Sequence, residues 1–397
     1  MTESLFRAYR RKKQRIGVGV LSGTSLDGID VAIVGISGFG ETTEVKLLAT
    51  ETYPFEPVIR RKIFRNLNPE TARLPELSQL HFLIGKVFAD ATKKLLGSSK
   101  IKSGAVDFIA SHGQTFWHQP AAEKIGRHQV RSTFQLGESA VIAAELGVLT
   151  VSDFRVAEIP LGGDGAPLAP FLDYILYRSS KHNRALLNIG GMSNITAMKQ
   201  GCKRQEVIFF DCGPGNVLID KAAALLFGKP FDQSGKFAAK GSASETALKT
   251  LLRLPYLKQV PPKSTGRELF SDAYFENALA RCRSENLNDF DIIATLTEFT
   301  ARVVAAQYQK FIAPHFKIDE LVVSGGGARN KTLMRSLEKK FYFAAVKDHA
   351  SETPTTGIPA KAKEAVLFAV LGNELLCGGS ASMKTGAMLG KLSFPPQ

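Results

Sequence analysis

The sequence is poor in cysteine and tryptophan, and it contains no long uninterrupted apolar run. Of its 397 residues, four are cysteine and one is tryptophan. Because no two cysteines form a Cys-x-x-Cys pair, a zinc ribbon is not expected, and four thiols do not make a disulfide framework. No apolar run approaches the ~18 residues that a membrane-spanning helix needs. These absences favour a globular protein of a reducing compartment, the cytoplasm, with no membrane association.

Acidic residues are also scarce relative to basic ones. The chain has 37 Asp and Glu against 51 Lys and Arg, which gives a formal net charge of +14. Such an excess is compatible with nucleic-acid binding, but the chain has no basic stripe interleaved with aromatic residues and no known nucleic-acid-binding module. Six of the basic residues lie in residues 1–15, which we expect to form a disordered extension. We attribute the remaining excess in part to binding of small anionic molecules.

Two common nucleotide fingerprints are missing. The chain contains neither the Gly-x4-Gly-Lys-Ser/Thr loop of P-loop enzymes nor the Gly-x-Gly-x-x-Gly turn of dinucleotide-binding proteins. These two large classes are therefore disfavoured.

What the sequence does contain is a repeated pattern, a short β-branched run that ends in glycine-rich or polar residues. The runs are Ile16–Leu21, Val106–Ala110, Val148–Val151, Ala185–Ile189, Val207–Phe210 and Leu321–Val323. Helical patterns lie between and after them, at Glu138–Leu146, Asp291–Ile312 and Lys361–Leu376. Alternating strands and helices predict an α/β architecture, and the same pattern in both halves predicts two related domains whose loops meet in a cleft.

Two glycine-rich strings have the chemistry of phosphate or nucleotide contacts. In Gly23-Thr-Ser-Leu-Asp27-Gly28, backbone N–H groups and hydroxyls could hold phosphate oxygens, and Asp27 could hold Mg²⁺. An ordinary hairpin turn is the alternative, since Asp-Gly is a strong turn signal. Ser324-Gly-Gly-Gly327 follows a strand and precedes a helical pattern, so a ligand could lie against its backbone. A plain strand-to-helix turn is the alternative there.

Three further strings carry polar side chains at predicted strand ends or helix starts. Asp211, beside Gly213-Pro-Gly-Asn216, has the fixed position that a general base needs, although an Asp that caps a turn is equally compatible. The strings at 111–115 and 152–155 are dense in hydrogen-bonding groups of the kind that bind sugars. Glu364, early in a predicted helix, is either functional or simply favoured by the helix dipole.

Taken together, seven ordered strings resemble the anhydro-N-acetylmuramic acid kinase family. They are Ser22-Gly-Thr-Ser-Leu-Asp-Gly28, Ser111-His-Gly-Gln-Thr115, Asp153-Phe-Arg155, Gly165-Ala-Pro-Leu168, Leu187-Asn-Ile-Gly-Gly191, Asp211-x-Gly-Pro-Gly-Asn216 and Ser324-Gly-Gly-Gly-x-x-Asn330. The resemblance spans residues 16 to about 376. It implies two actin-like (ribonuclease H-like) domains around an ATP cleft. We place a basic extension at 1–15 and the domains at 16–150 and 151–397, leaving open whether the last helix packs back on the first domain.

The resemblance implies an ATP-dependent, Mg²⁺-dependent kinase in peptidoglycan recycling. It would phosphorylate O6 of 1,6-anhydro-N-acetylmuramic acid while water opens the anhydro ring, and Asp211 and Glu364 would be its catalytic residues. The implied ATP-binding residues are Gly23, Thr24, Ser25, Asp27 (with Mg²⁺), Gly28, Gly190, Gly191, Gly213, Gly325, Gly326, Gly327 and Asn330. The implied sugar-binding residues are Ser111, His112, Gln114, Asp153, Arg155, Gly215 and Asn216.

The sequence departs from the family's usual pattern at some positions, and a second function is compatible with it. Asp164 stands where the family commonly has Gln, and the stretch 228–267 is predicted to be rich in loops. The alternative function is an ATP-driven conformational machine of the actin or Hsp70 class that binds a protein partner. The polar strings at 111–115 and 152–155 favour the kinase, because such a machine does not need them. Family members are often dimers, so a homodimer is an expectation as well.

Overall fold

The computed structural model divides the chain into two compact units. It describes residues 2–396 apart from residues 24, 25, 27, 267 and 351–355, and the side chains of residues 2–5 are left out. The first unit comprises Met1–Ile175 together with Gly357–Gln397, and the second comprises Leu176–Thr356. In the described part of the chain, no helix combines the length and the apolar composition needed to cross a membrane.

The first unit is built on a mixed sheet. Its strands are β1 (Arg15–Ser22), β2 (Ile29–Ser37), β3 (Glu44–Tyr53), β4 (Phe108–Ile125), β5 (His128–Leu136), β6 (Thr150–Ser152) and β12 (Lys391–Ser393). The order is β12-β6-β4-β1-β2-β3, and β5 pairs with β4 as a long hairpin. β2 is antiparallel to β1 and β3, whereas β4 is parallel to β1 and β6. β1 and β2 therefore form a hairpin around residues 23–28.

Helices cover this sheet. They are α1 (Thr2–Arg11), α2 (Pro57–Asn66), α3 (Leu74–Ser98), α4 (Ser139–Leu146), α5 (Ala169–Tyr177, whose last two residues belong to the second unit) and α11 (Lys363–Leu376). Every residue of α11 from Ala365 to Leu376 is buried, and the helix packs against β1, β2 and β4. The approach is so close that a Cβ on Gly19 would lie 1.7 Å from the Ala365 carbonyl oxygen, so only glycine fits there.

The second unit repeats the same topology. Its strands are β7 (Arg184–Ile189), β8 (Met192–Met198), β9 (Ile208–Pro214), β10 (Glu320–Ser324) and β11 (Ala345–Asp348), in the order β11-β10-β7-β8-β9. Its helices are α6 (Val217–Phe227), α7 (Glu245–Leu251), α8 (Asp272–Ser284), α9 (Asp289–Phe311) and α10 (Lys331–Lys340). As in the first unit, three antiparallel strands are followed by strands parallel to the first of them. The predicted α/β class with two related halves is confirmed.

The units divide the chain differently from the expected boundary at residue 150. That boundary falls inside the first unit, because β6 pairs with β4. The segment 357–397 also groups with the first unit rather than with 151–356, because α11 covers the first sheet and β12 pairs with β6. The last long helix therefore does pack on the first unit.

The expectation of a disordered extension at residues 1–15 is wrong over the described residues. Thr2–Arg11 form α1, and Tyr9 is only 7% exposed, its ring 6.0 Å from that of Phe108. Arg15 is buried in β1 and donates to Asn373 Oδ1 at 2.7 Å. The charge of residues 1–15 therefore did not reveal that Tyr9 and Arg15 are buried.

Candidate active site

In the first unit, a bulge in β4 places His112. The register pairs Val20 with Ser111 and Leu21 with Gly113, which leaves His112 as the extra residue. Gly113 has a φ of +76°, and a Cβ there would lie 2.6 Å from the Leu136 carbonyl oxygen. The string 111–115 was predicted to follow the strand, but it lies within β4, because the bulge lets the strand continue and pair with β5.

His112 holds Arg155 as a hydrogen-bond acceptor. Arg155 Nε donates to His112 Nε2 at 2.9 Å, and a guanidinium can only donate, so Nε2 carries no proton. The other ring nitrogen, Nδ1, lies 3.2 Å from the Gly113 carbonyl oxygen and must be the N–H that donates to it. Burial and, after it, the Arg155 charge hold the pKa of His112 well below its usual range. The ring is therefore neutral, and it stacks on Phe368 of α11 at 4.4 Å.

Arg155 is the cation of this cluster. Its Nη1 donates to the Gly165 carbonyl oxygen at 2.8 Å, and a Cβ on Gly165 would lie 2.7 Å from the Arg155 carbonyl oxygen. Removal from water lowers the pKa of Arg155 to about 10, while the Glu364 and Glu158 carboxylates act in the opposite direction. The guanidinium therefore stays charged at neutral pH, in a fixed orientation suited to a carboxylate.

Glu364, in the first turn of α11, is the carboxylate that acts on Arg155. Its side chain is open to solvent, yet the surrounding protein desolvates the carboxyl group enough to raise its pKa. The Asp30 carboxylate raises it further, and Arg155 and Lys363 lower it. A carboxyl group with a raised pKa next to a fixed cation has the properties of a proton-transfer or sugar-contact residue.

The remaining predicted sugar-binding residues of the first unit lie nearby in different environments. Ser111 and Gln114 are buried, and Ser111 Oγ and Gln114 Oε1 have no hydrogen-bond partner among the described residues. Asp153 is partly exposed at a φ of +56°, with Lys391 Nζ 3.3 Å from its Oδ2. Asp164 lies 2.8 Å from Lys384 Nζ, so its charge is balanced locally.

In the second unit, backbone hydrogen bonds among four residues link two glycine turns, and we call this network the backbone lattice. Gly215 N donates to the Gly191 carbonyl oxygen and Asn216 N to the Gly190 carbonyl oxygen, both at 2.8 Å. A Cβ on Gly215 would lie 2.4 Å from the Gly190 oxygen, whereas a Cβ on Gly191 would meet nothing within 4 Å. Close packing therefore requires glycine at position 215, whereas the backbone at Gly191 is accessible.

The Gly325–Gly327 turn is joined to the same lattice. Gly325 has a φ of +81°, and its Cβ would lie 2.5 Å from the Ile189 carbonyl oxygen, at the end of β7. Gly326 has nearly open surroundings, since the one atom near its Cβ position is Asn216 Nδ2 at 3.4 Å. Asn330 instead caps α10, because its Oδ1 accepts from the backbone N–H groups of Thr332 and Leu333.

Asp211 lies within β9 rather than at its end as predicted. The register pairs Asn194 with Asp211 and Ser193 with Gly213, so Cys212 is the extra residue of a bulge that lets the strand run on to Pro214. Asp211 is partly exposed on this edge strand. Its N–H donates to the Lys263 carbonyl oxygen at 3.2 Å, and its Oδ2 accepts from Thr265 N at 3.0 Å.

Three predicted nucleotide-site residues, Thr24, Ser25 and Asp27, lie outside the described residues. Around them, Leu26 N donates to the Gly23 carbonyl oxygen at 3.2 Å, and a Cβ on Gly28 would lie 2.8 Å from the Tyr53 carbonyl oxygen. Among the described residues, no group of three His, Cys, Asp or Glu side chains could hold a metal ion.

Sequence reasoning missed two carboxylates. Asp30, in β2, accepts from Thr52 Oγ1 at 2.6 Å and acts on the pKa of Glu364. Asp220, in the first turn of α6, has a pKa raised by burial to about 6. Asp220 lies four residues after Asn216, about one helical turn, and this spacing is the sequence signal that points to it. Nothing in the sequence alone pairs Asp30 with Glu364.

Comparison with known proteins places the chain in a family. The family model for anhydro-N-acetylmuramic acid kinase matches residues 15–391. A protein named anhydro-N-acetylmuramic acid kinase from Caldanaerobacter subterraneus subsp. tengcongensis is 41% identical over 99% of this chain and 100% of its own length. Proteins of the same name from Francisella tularensis subsp. novicida and Clostridioides difficile are each 40% identical, over 95% and 90% of this chain and 98% and 91% of their own lengths. On this full-length match, the chain belongs to the anhydro-N-acetylmuramic acid kinase family.

Proposed function

We propose that this protein is an ATP-dependent kinase that phosphorylates O6 of 1,6-anhydro-N-acetylmuramic acid while water opens the anhydro ring. The product would be N-acetylmuramic acid 6-phosphate, formed during peptidoglycan recycling. The observation that carries the proposal is the family match over nearly the whole chain, at about 40% identity to its relatives. The conformational-machine alternative is not favoured by any of these relatives.

The proposed reaction balances as one displacement coupled to one phosphoryl transfer. Water forms a bond to C1 and loses a proton to Asp211, while the C1–O6 bond breaks. The O6 oxygen then forms a bond to the γ-phosphorus, and the bond to the β–γ bridging oxygen breaks to release ADP. Asp211 suits the role of base because a backbone N–H donated to its carboxylate favours the charged, proton-accepting form.

The first unit would bind the acidic sugar. The Arg155 guanidinium, oriented by His112 and the Gly165 carbonyl oxygen, is suited to bind the lactyl carboxylate. Glu364 would lie near the sugar or the attacking water. Ser111, Gln114 and Asp153 remain candidates for sugar contacts.

The second unit would bind the nucleotide through its glycine turns. At Gly191 and Gly326 a Cβ would project into open or nearly open space, so a ligand can lie against the backbone there. Mg²⁺, if held by Asp27 as proposed, would neutralise charge on the phosphates.

The test is ADP release measured with and without the anhydro sugar. We expect sugar-dependent ADP release with one equivalent of N-acetylmuramic acid 6-phosphate per ADP. No stimulation across a panel of anhydro sugars and amino sugars would contradict the proposal.

The role of Asp211 is tested by Asp211→Asn. We expect the variant to retain nucleotide affinity and to lose about 10²–10⁴-fold in kcat, the range typical of a general base. Asp272→Asn is a matched control, because Asp272 is the exposed partner of Lys221. A D211N variant within tenfold of the wild type would remove Asp211 from the role of base.

A further inference from the structure

Lys263, which neither the sequence strings nor the proposed reaction uses, occupies an aromatic cage in the second unit. Its Nζ lies 4.6 Å from the ring centroid of Tyr256, 4.9 Å from that of Phe311 and 5.7 Å from that of Phe210. It donates to Gln307 Oε1 at 2.5 Å and to the Tyr256 carbonyl oxygen at 3.3 Å. The ammonium group is thus held by ring faces and two acceptors rather than by a carboxylate.

The main acceptor is itself fixed. Gln307 is 1% exposed within α9, and its Nε2 donates to the Leu257 carbonyl oxygen at 3.1 Å. That bond orients the amide group so that Oε1 faces Lys263. The ammonium position is therefore determined by α9, a long and well-buried helix.

The loop that carries Lys263 is also the loop that holds Asp211. The Lys263 carbonyl oxygen accepts from Asp211 N at 3.2 Å, and Thr265 N donates to Asp211 Oδ2 at 3.0 Å. Tyr256, which forms part of the cage, donates its hydroxyl to the Asp211 carbonyl oxygen at 2.7 Å. The segment 256–265 thus contacts the N–H, the C=O and the carboxylate of Asp211.

We propose that Lys263 is a positioning residue for Asp211. By seating its ammonium group on Gln307 inside the aromatic cage, it fixes the loop whose main chain holds the Asp211 carboxylate. This inference rests on the proposed function, since it assigns Lys263 to the base of that reaction.

The energetics of the cage agree with a specific role. Desolvation lowers the pKa of Lys263 to about 8, Lys310 lowers it too, and Cys212 and Asp211 act in the opposite direction. Keeping a lysine charged in this cage costs free energy, and an apolar side chain would pack there without that cost.

The test compares Lys263→Met with Lys310→Met. Lys310 also lies over Phe311, at 5.0 Å, but it is exposed and donates to Lys258 rather than to the loop around Asp211. For K263M we expect at least a tenfold loss in kcat with KM for both substrates within about twofold, because base placement and not binding is changed. The acidic limb of the kcat–pH profile should move to higher pH, since loss of the Thr265 N–H bond disfavours the charged carboxylate. K310M should match the wild type in both respects.

The outcomes separate this inference from the proposed function. Wild-type kcat and an unshifted acidic limb of the kcat–pH profile in K263M overturn the inference that Lys263 positions Asp211. If K263M folds poorly, Gln307→Met replaces it, because Q307M removes the main acceptor of the ammonium group. Wild-type kcat with an unshifted limb in Q307M then overturns the inference. If the wild type shows no sugar-dependent ADP release, the proposed function has failed. In that case the pKa of the Asp211 carboxyl, followed by NMR in the wild type and in K263M or Q307M, decides the positioning role alone, and an unchanged value overturns it.

Discussion

At the scale of single residues, His112 shows most clearly that the type of a side chain does not by itself give its role. A histidine in a polar string invites assignment as an acid or base, because its ordinary pKa lies near neutrality. Here its Nε2 accepts from Arg155, and its other nitrogen faces a carbonyl oxygen. Those two partners leave no position for a second proton, so His112 acts by orienting Arg155.

This tautomer is directly measurable. We expect ¹⁵N NMR of the imidazole to show a neutral ring protonated at Nδ1 at neutral pH, because burial and Arg155 lower the pKa of His112. An Nε2–H tautomer, or titration of His112 near pH 6.5, would contradict the assignment.

Asp220 predicts a pH dependence of stability. Burial raises the pKa of its carboxyl group to about 6 in the folded state. Between its unfolded pKa and pH 6 the folded state therefore binds more protons, so this group destabilises the fold as pH rises through that window. We expect Asp220→Asn to raise the free energy of unfolding at pH 7 by on the order of 1 kcal/mol and to leave it unchanged at pH 4. Chemical denaturation at both pH values checks this, with D272N as control, and a gain at pH 4 alone would contradict it.

At the scale of elements, the sequence predicts much of the structure. The apolar runs that became β1, β6, β7 and β10 are confirmed within a few residues, and so are the helical patterns that became α4, α9 and α11. The errors in predicted strand ends fall where bulges let strands continue past polar residues, at His112 and Cys212. A bulge depends on pairing with a distant strand, so local pattern does not reveal it. The aromatic cage around Lys263 was not predicted for the same reason. Its rings and its amide come from positions up to about 100 residues apart in the sequence.

Helix α1 gives a prediction at this scale. We expect Tyr9→Ala to lower the free energy of unfolding by about 3 kcal/mol, because it removes a buried ring from the contact with Phe108. Tyr9→Phe should cost only about 0.5–1.5 kcal/mol, through loss of the hydroxyl's bond to Asn373. Urea denaturation measures both, and Lys13→Ala, at an exposed position, is the control. Equal stability of Y9A and K13A would show that α1 does not contribute to the core.

At the scale of the whole molecule, two units each possess a hydrophobic core of their own. The second unit's core cluster lies within residues 185–341. In the first unit, the buried helix α11, which follows the second unit in the chain, covers the sheet. The excess positive charge, which first raised nucleic-acid binding, is distributed partly into buried roles such as that of Arg15. Net charge is consequently a poor guide to partners here.

Fragments test this division. We expect residues 176–356 alone to unfold cooperatively in a circular-dichroism melt, because their core is contiguous in sequence. Residues 1–175 alone should lack a cooperative transition, because the sheet face covered by the buried helix α11 is then exposed. Joining 1–175 to 357–397 through a short linker should restore the transition. A cooperative melt of 1–175 alone would contradict this account of α11.

The return of residues 357–397 to the first unit has a consequence for biosynthesis. A ribosome delivers β1, β2 and β4 early, yet the helix that covers them emerges only after the whole second unit has been made. The inner unit can therefore fold first, although most chains fold from the N-terminus. Throughout that interval the apolar face of the first sheet that α11 buries stays uncovered.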